Sequence, residues 1–234
     1  MAHILDRPVW SSLGSGWAAL AEGDGRALRL SRDYGPFGAA ASAAAEDLEA
    51  LGALVPGEGE LWMVERDDTN IPPDATIVRT GVLNQMVAGT LTPKQRSIDA
   101  VELGDADAAE MQALAALTRP GPFGRLTHRL GGFVGVREEG RLVAMAGERM
   151  RVDGYCEVSG VCTHPDHRGR GLAGALMSIV ACRIRDRSET PFLHSYAHNS
   201  SAIALYESLG FRYRATISLT VLTAGQGSNR LASP

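Results

Sequence analysis

The sequence predicts a mixed α/β or α+β fold, and three observations carry that reading. Short apolar runs of strand length alternate with stretches whose apolar residues recur every three or four positions. The switches between them fall on turn-forming clusters such as Pro56-Gly57 and the run TRPGPFGR. Of the 234 residues, 44% are hydrophobic and 21% charged, enough apolar matter for a buried core, with no short-period repeat or low-complexity tract.

From the N-terminus, Pro8 to Ala21 reads as a helix, with Trp10, Leu13, Trp17 and Leu20 on one face and Gly14 and Gly16 working against it. Ala27 to Ser31 is a strand, and RDYGPFG after it is turn chemistry. Ser42 to Leu54 is a helix capped by Ser42, with Glu46 and Asp47 early and Leu48, Leu51 and Leu54 as its stripe. Glu60 to Glu65 and Ile77 to Leu83 are strands, and Thr90 to Lys94 is the linker that divides the chain at about residue 93.

Beyond it, Ile98 to Leu103 is a strand, and Asp105 opens a helix through Leu117 with Met111, Leu114 and Leu117 on one side. Gly132 to Arg137 and Arg141 to Arg149 form a hairpin turning at Glu139-Gly140. Tyr155 to Thr163 is a strand, Leu172 to Arg185 a helix, Phe192 to Ala197 a strand, Ser200 to Leu209 a helix and Phe211 to Leu222 a closing strand. Residues 225–234 are expected to be a loose tail.

Composition removes several function classes. The net charge of -4 argues against nucleic-acid binding by phosphate neutralisation. Cys156, Cys162 and Cys182 form no CxxC pair, so a disulfide framework and a structural zinc site are not expected. MAHILDRPVW lacks the apolar core of a signal peptide, and no apolar run is long enough to span a bilayer. The expectation is a cytoplasmic protein with no metal, no membrane and no nucleic-acid partner, either monomeric or homodimeric.

The chemistry gathers in HPDHRGRGLAGALM, residues 164–177. Glycines at a strand-to-helix junction permit positive φ and leave no Cβ in the way of a close ligand. Helix-opening amides point outward, and the helix dipole adds partial positive charge. Gly169 and Gly171 thus make an anion cradle from main chain, with Arg168 and Arg170 beside it. A Walker loop is excluded because the Gly-Lys-Ser/Thr element is missing. Gly169, Gly171 and Gly174 match the bare dinucleotide spacing but lack its βαβ context and ribose-binding acid. His164 and His167 have no third ligand type near them, and His194 and His198 read as a wall of the later strand.

Arg168 to Ala173 resembles the Arg/Gln-x-x-Gly-x-Gly/Ala acyl-CoA signature of the GNAT superfamily of N-acetyltransferases. Asn199 to Phe211 resembles its second signature, N-x-x-A-x-x-x-Y-x-x-x-G-F, in the expected order and separation. The likeness covers roughly Ile98 to Leu222. It implies a GNAT-like twisted mixed sheet flanked by helices in a domain spanning 94–224. Residues 1–93 would be an α/β region packed beside it, compatible with a degenerate GNAT-like half.

The resemblance also implies roles. Acetyl-CoA would be the co-substrate, its diphosphate on the amides of Arg168, Gly169, Arg170, Gly171, Leu172 and Ala173. Val161 and Thr163 lie on the strand that would receive pantetheine and thioester, with the Val161 N–H facing the thioester carbonyl as oxyanion donor. Asn199 would contact the pantetheine arm, and Tyr206 would both contact it and protonate the leaving thiolate. Glu157, eleven residues before Arg168, is the first candidate for the base that accepts the amine proton, and Glu148 the second. The implied activity is direct acetyl transfer, through a ternary complex, to a primary amine of a small molecule or peptide. The alternative is a non-catalytic acyl-CoA-binding or sensing module.

Overall fold

The computed structural model describes residues 3–66, 70–94 and 96–225. In chain order the elements are α1 (Pro8–Leu13), β1 (Ala21–Asp24), β2 (Ala27–Leu30), β3 (Gly38–Ala40), α2 (Ala45–Leu54), β4 (Leu61–Glu65) and β5 (Ala75–Ala88). They continue as β6 (Ala100–Leu103), α3 (Ala108–Thr118), β7 (Phe133–Glu138), β8 (Arg141–Val152) and β9 (Tyr155–Thr163). The last are α4 (Leu172–Asp186), β10 (Thr190–Tyr196), α5 (Ser200–Ser208) and β11 (Phe211–Ala224).

The chain forms two compact units that interleave: residues 1–31, 36–83 and 216–234 make one, and 32–35 with 84–215 the other. The long strands β5 and β11 each begin in one unit and end in the other, whereas the sequence reading divides the chain once, near residue 93. In the first unit β1, β2 and β3 form an antiparallel meander, and β4 pairs antiparallel with the second half of β11. Its core gathers Leu51, Leu61, Met63 and Leu222.

Three expectations change here. The helix read over 8–21 ends at Leu13, because Gly14 takes the C-cap and the chain turns into a short 3-10 segment and β1. Ser42 does not cap α2. The N-cap is Ala44, and the Ser42 hydroxyl instead accepts from the Ala44 N–H and pairs with Asp47. The stretch read as a turn includes Phe37, which is buried against Trp17 and Trp62 and leads into β3.

The second unit is a mixed sheet with helices on both faces. From β5 its strands run β5-β10-β9-β8-β7-β6, all antiparallel from β9 to β6, with β9 and β10 parallel and joined through α4. Adjacent residues of a strand face opposite sides. Phe133 therefore joins Met111, Leu114 and Met145 under α3, while Val134 joins Leu176, Val180 and Ile184 of α4. Leu117, expected on the buried side of α3, is exposed, and Ala115 takes its place. The β7–β8 hairpin turns at Glu139 and Gly140, both at positive φ, as its sequence predicts. No described helix is long and apolar enough to cross a membrane. The expected tail lies outside the described residues apart from Gly225.

Candidate active site

Beyond β9 the chain makes one 3-10 turn, Pro165–His167, and then enters α4 through two glycines at positive φ, Gly169 at 75° and Gly171 at 73°. An added Cβ at Gly169 would meet nothing within 4 Å, so this side of the turn is open. Among the described residues, the amides of Gly169 through Ala173 donate to no protein group. Those of Gly171, Leu172 and Ala173 are orphan donors of the kind every helix N-terminus leaves, and those of Gly169 and Arg170 lie in the turn before it. The Arg168 amide is not among them, because it donates to the Pro165 carbonyl at 3.3 Å. The cradle thus begins one residue later than the sequence implied.

These amides border a cleft of about 380 Å³ that also receives Thr163, Arg168, Lys94 and Arg96. The Arg168 guanidinium leans on the Thr163 carbonyl at 3.4 Å. The Thr163 hydroxyl is buried without a hydrogen-bond partner among the described residues. Such a group carries a desolvation cost of about 1–3 kcal/mol until something in the cleft satisfies it. Arg170 does not close over the cleft. Its guanidinium is tied to Glu138 at 2.6 and 2.9 Å, where its hydrogen bond outweighs a small burial effect and holds that carboxylate below its usual range. Lys94, the last residue of the expected linker, and Arg96 just beyond it are cleft residues that the sequence did not flag; a basic residue in an irregular segment carries no periodicity to reveal its place.

A second feature lies next to the cleft. β9 and β10 pair in parallel only from Tyr155–Thr190 to Glu157–Phe192, and past that point no pair between them forms among the described residues. On its other side, β9 skips Gly160 and Val161 in its register with β8. Gly160 sits at φ 61°, and its would-be Cβ lies 2.8 Å from the Phe133 ring, so only glycine fits this bulge. Val161 therefore faces a gap, with no strand partner opposite it on either side among the described residues.

Tyr206, on α5, packs against the same apolar cluster as Val161. Burial pushes its phenol up, so it stays protonated at neutral pH. Asn199 caps α5, its side-chain oxygen accepting from the Ala202 N–H at 3.3 Å.

The two base candidates are otherwise engaged. Glu157 is buried, and Arg149 donates to it at 2.9 and 3.1 Å while His194 donates from Nδ1 at 2.8 Å. Burial raises its pKa, but the Arg149 charge and the His194 hydrogen bond outweigh that and bring it down to about 2. A carboxylate of that affinity is a poor acceptor for an amine proton. Glu148 is buried between Arg151 and Arg187 at 3.1 and 2.9 Å. His194 is thus not a bare wall, and His198 stacks on Tyr196 instead of lying beside it. No cluster of three His, Cys, Asp or Glu side chains able to hold a metal ion lies among the described residues.

A family model described as FR47-like protein matches residues 133–219. A solved structure from Novosphingobium aromaticivorans, described as an acetyltransferase from the GNAT family, is 47% identical. That match covers 96% of this chain and 100% of the other, with a TM-score of 0.90. A GCN5-related N-acetyltransferase from Kribbella flavida is 21% identical over 94% of this chain and 95% of its own, with a TM-score of 0.64. A GCN5-related N-acetyltransferase-like protein from Streptococcus suis is 15% identical over 92% of each chain, with a TM-score of 0.57. At those identities the likeness is one of fold. No curated protein matches the sequence.

Proposed function

The chain belongs to the GNAT family of acyl-CoA-dependent N-acyltransferases, and on that premise we propose that it moves an acetyl group from acetyl-CoA directly to a primary amine of a small molecule or peptide. The supporting observation is that an open, glycine-lined helix N-terminus and the parting of β9 from β10 meet at Thr163. Among the described residues the donor set there fits acyl-CoA: unpaired amides for a diphosphate, an unsatisfied hydroxyl, and Lys94 and Arg96 without a carboxylate partner.

In this reading the amides of Gly169, Arg170, Gly171, Leu172 and Ala173 hold the diphosphate. Arg168, Thr163 and Asn199 flank the pantetheine arm as it enters the gap. The amine nitrogen attacks the thioester carbon, and the Val161 N–H receives the oxyanion that forms. A fixed donor binds that charge more tightly than the ground-state carbonyl, which lowers the barrier. Collapse breaks the carbon–sulfur bond, and the leaving thiolate takes the proton of the Tyr206 hydroxyl. Burial keeps such a thiolate basic, much as it pushes the Cys162 thiol of β9 up to about 11. The proton of the amine leaves to water that enters with it. Glu157 is assigned no proton in this scheme.

Thioester cleavage measured with acetyl-CoA and a panel of amines tests the reading. Amine-dependent turnover is expected, with Tyr206→Phe lowering kcat by about ten- to a hundredfold and leaving KM for acetyl-CoA near the parent value. Tight acetyl-CoA binding without turnover on any amine would instead favour the sensing module.

A further inference from the structure

On the face of the sheet opposite α4, one unbroken run of polar side chains crosses five neighbouring strands, β8, β9, β10, β5 and β11. Arg149 of β8 holds Glu157 of β9 through two N–H groups. His194 of β10 meets Glu157 at 2.8 Å through Nδ1 and Gln85 of β5 at 2.9 Å through Nε2. Arg214 of β11 donates from Nε to the side-chain oxygen of Gln85. Glu157, Gln85 and the His194 side chain are all buried.

The donors and acceptors admit one assignment. Arg214 can only donate, so it fixes the Gln85 oxygen toward itself and turns the Gln85 NH₂ toward His194. His194 Nε2 must then accept, which leaves the ring proton on Nδ1, donated to Glu157. The hydrogen bonds thus select one ring tautomer, with the proton on Nδ1.

The position of that hydrogen bond matters. The last backbone pair between β9 and β10 is Glu157–Phe192, and His194 lies two residues further along the same face. The side-chain bond therefore takes over where main-chain pairing ends. We propose that His194, bridging Glu157 and Gln85, is a positioning residue that clasps β9 to β10 at the base of their gap and so sets the width available beside Val161. This rests on the proposed function, in which that gap receives the thioester. Reacting groups held within about half an ångström need such support, and a misplacement of about 1 Å costs on the order of a hundredfold in rate.

The test compares Glu157→Gln, His194→Asn, His194→Phe and the Glu157→Gln/His194→Phe double variant in the full chain. Thioester release, its pH profile and acetyl-CoA binding by calorimetry are the readouts. The clasp predicts that Glu157→Gln and His194→Phe each lower kcat/KM by about ten- to a hundredfold. The double variant should be no worse than either single one. His194→Asn, which keeps an N–H near the place of Nδ1, should recover most of the loss, and the acid limb of the pH profile should stay in place. Loss of that limb in Glu157→Gln with His194→Phe at parental rate would make Glu157 the base and overturn the proposal, as would fully additive losses. Should His194→Phe fail to fold, Glu157→Gln and His194→Asn decide the matter alone.

Hydrogen exchange at Val158 and Leu193 separates this inference from the proposed function. Faster exchange there in Glu157→Gln supports the clasp even in a protein that cleaves no thioester, and unchanged exchange refutes it.

Discussion

Thr163 buries a hydroxyl that no described protein group satisfies, and Lys94 and Arg96 bring positive charge to the same cleft without a carboxylate partner among the described residues. Charges left unpaired beside orphan amides suit a ligand that carries several negative charges. Arg96→Ala is expected to weaken acetyl-CoA binding about tenfold at low ionic strength, with the difference shrinking at high salt as the exposed charge is screened. Calorimetry at two salt concentrations reads this, and equal affinity in both proteins would remove Arg96 from the site. The glycines and Tyr206 were legible as residues because a motif with fixed spacing contains them. Arg96 was not, since its place in the cleft comes from the path of an irregular segment. The engagement of Glu157 was equally hidden, because its partners Arg149 and His194 lie on two different neighbouring strands.

Strand β9 shows what sequence pattern resolves at the level of an element and what it does not. Its apolar run marked a strand with the observed limits, Tyr155–Thr163, yet the register skip at Gly160 and Val161 is a tertiary event that coincides with the Phe133 ring packed against Gly160. A lone glycine in a strand signals a bulge or a close approach, and here it is both. Gly160→Ala places a Cβ at φ 61° and drives it into Phe133. The left-handed conformation alone costs about 1–2 kcal/mol. The expected outcome is a melting temperature lower by several degrees, measured by calorimetry, together with a fall in kcat as Val161 is displaced. An unaltered rate in a folded variant would detach the bulge from catalysis. The first helix failed for the opposite reason, since its apolar spacing survived into a 3-10 segment that Gly14 and Gly16 had already separated from α1.

In the whole molecule, the alternation of strands and helices predicted the mixed fold, and the sheet with helices on both faces of the second unit follows that reading. The interleaving of the two units was not visible, because β11 read as one uninterrupted strand and the strand read at β5 stopped at Leu83, short of the part that belongs to the second unit. Everything proposed for catalysis depends on one local property of the second unit, the unpaired amides that open α4. Amide resonances of residues 168–173 followed during a titration with coenzyme A test this most directly. The account predicts large, saturable shifts at Gly169 through Ala173 and a smaller one at Arg168, whose N–H is already engaged. Saturable binding that leaves those five resonances unmoved, or no binding at all, would contradict it.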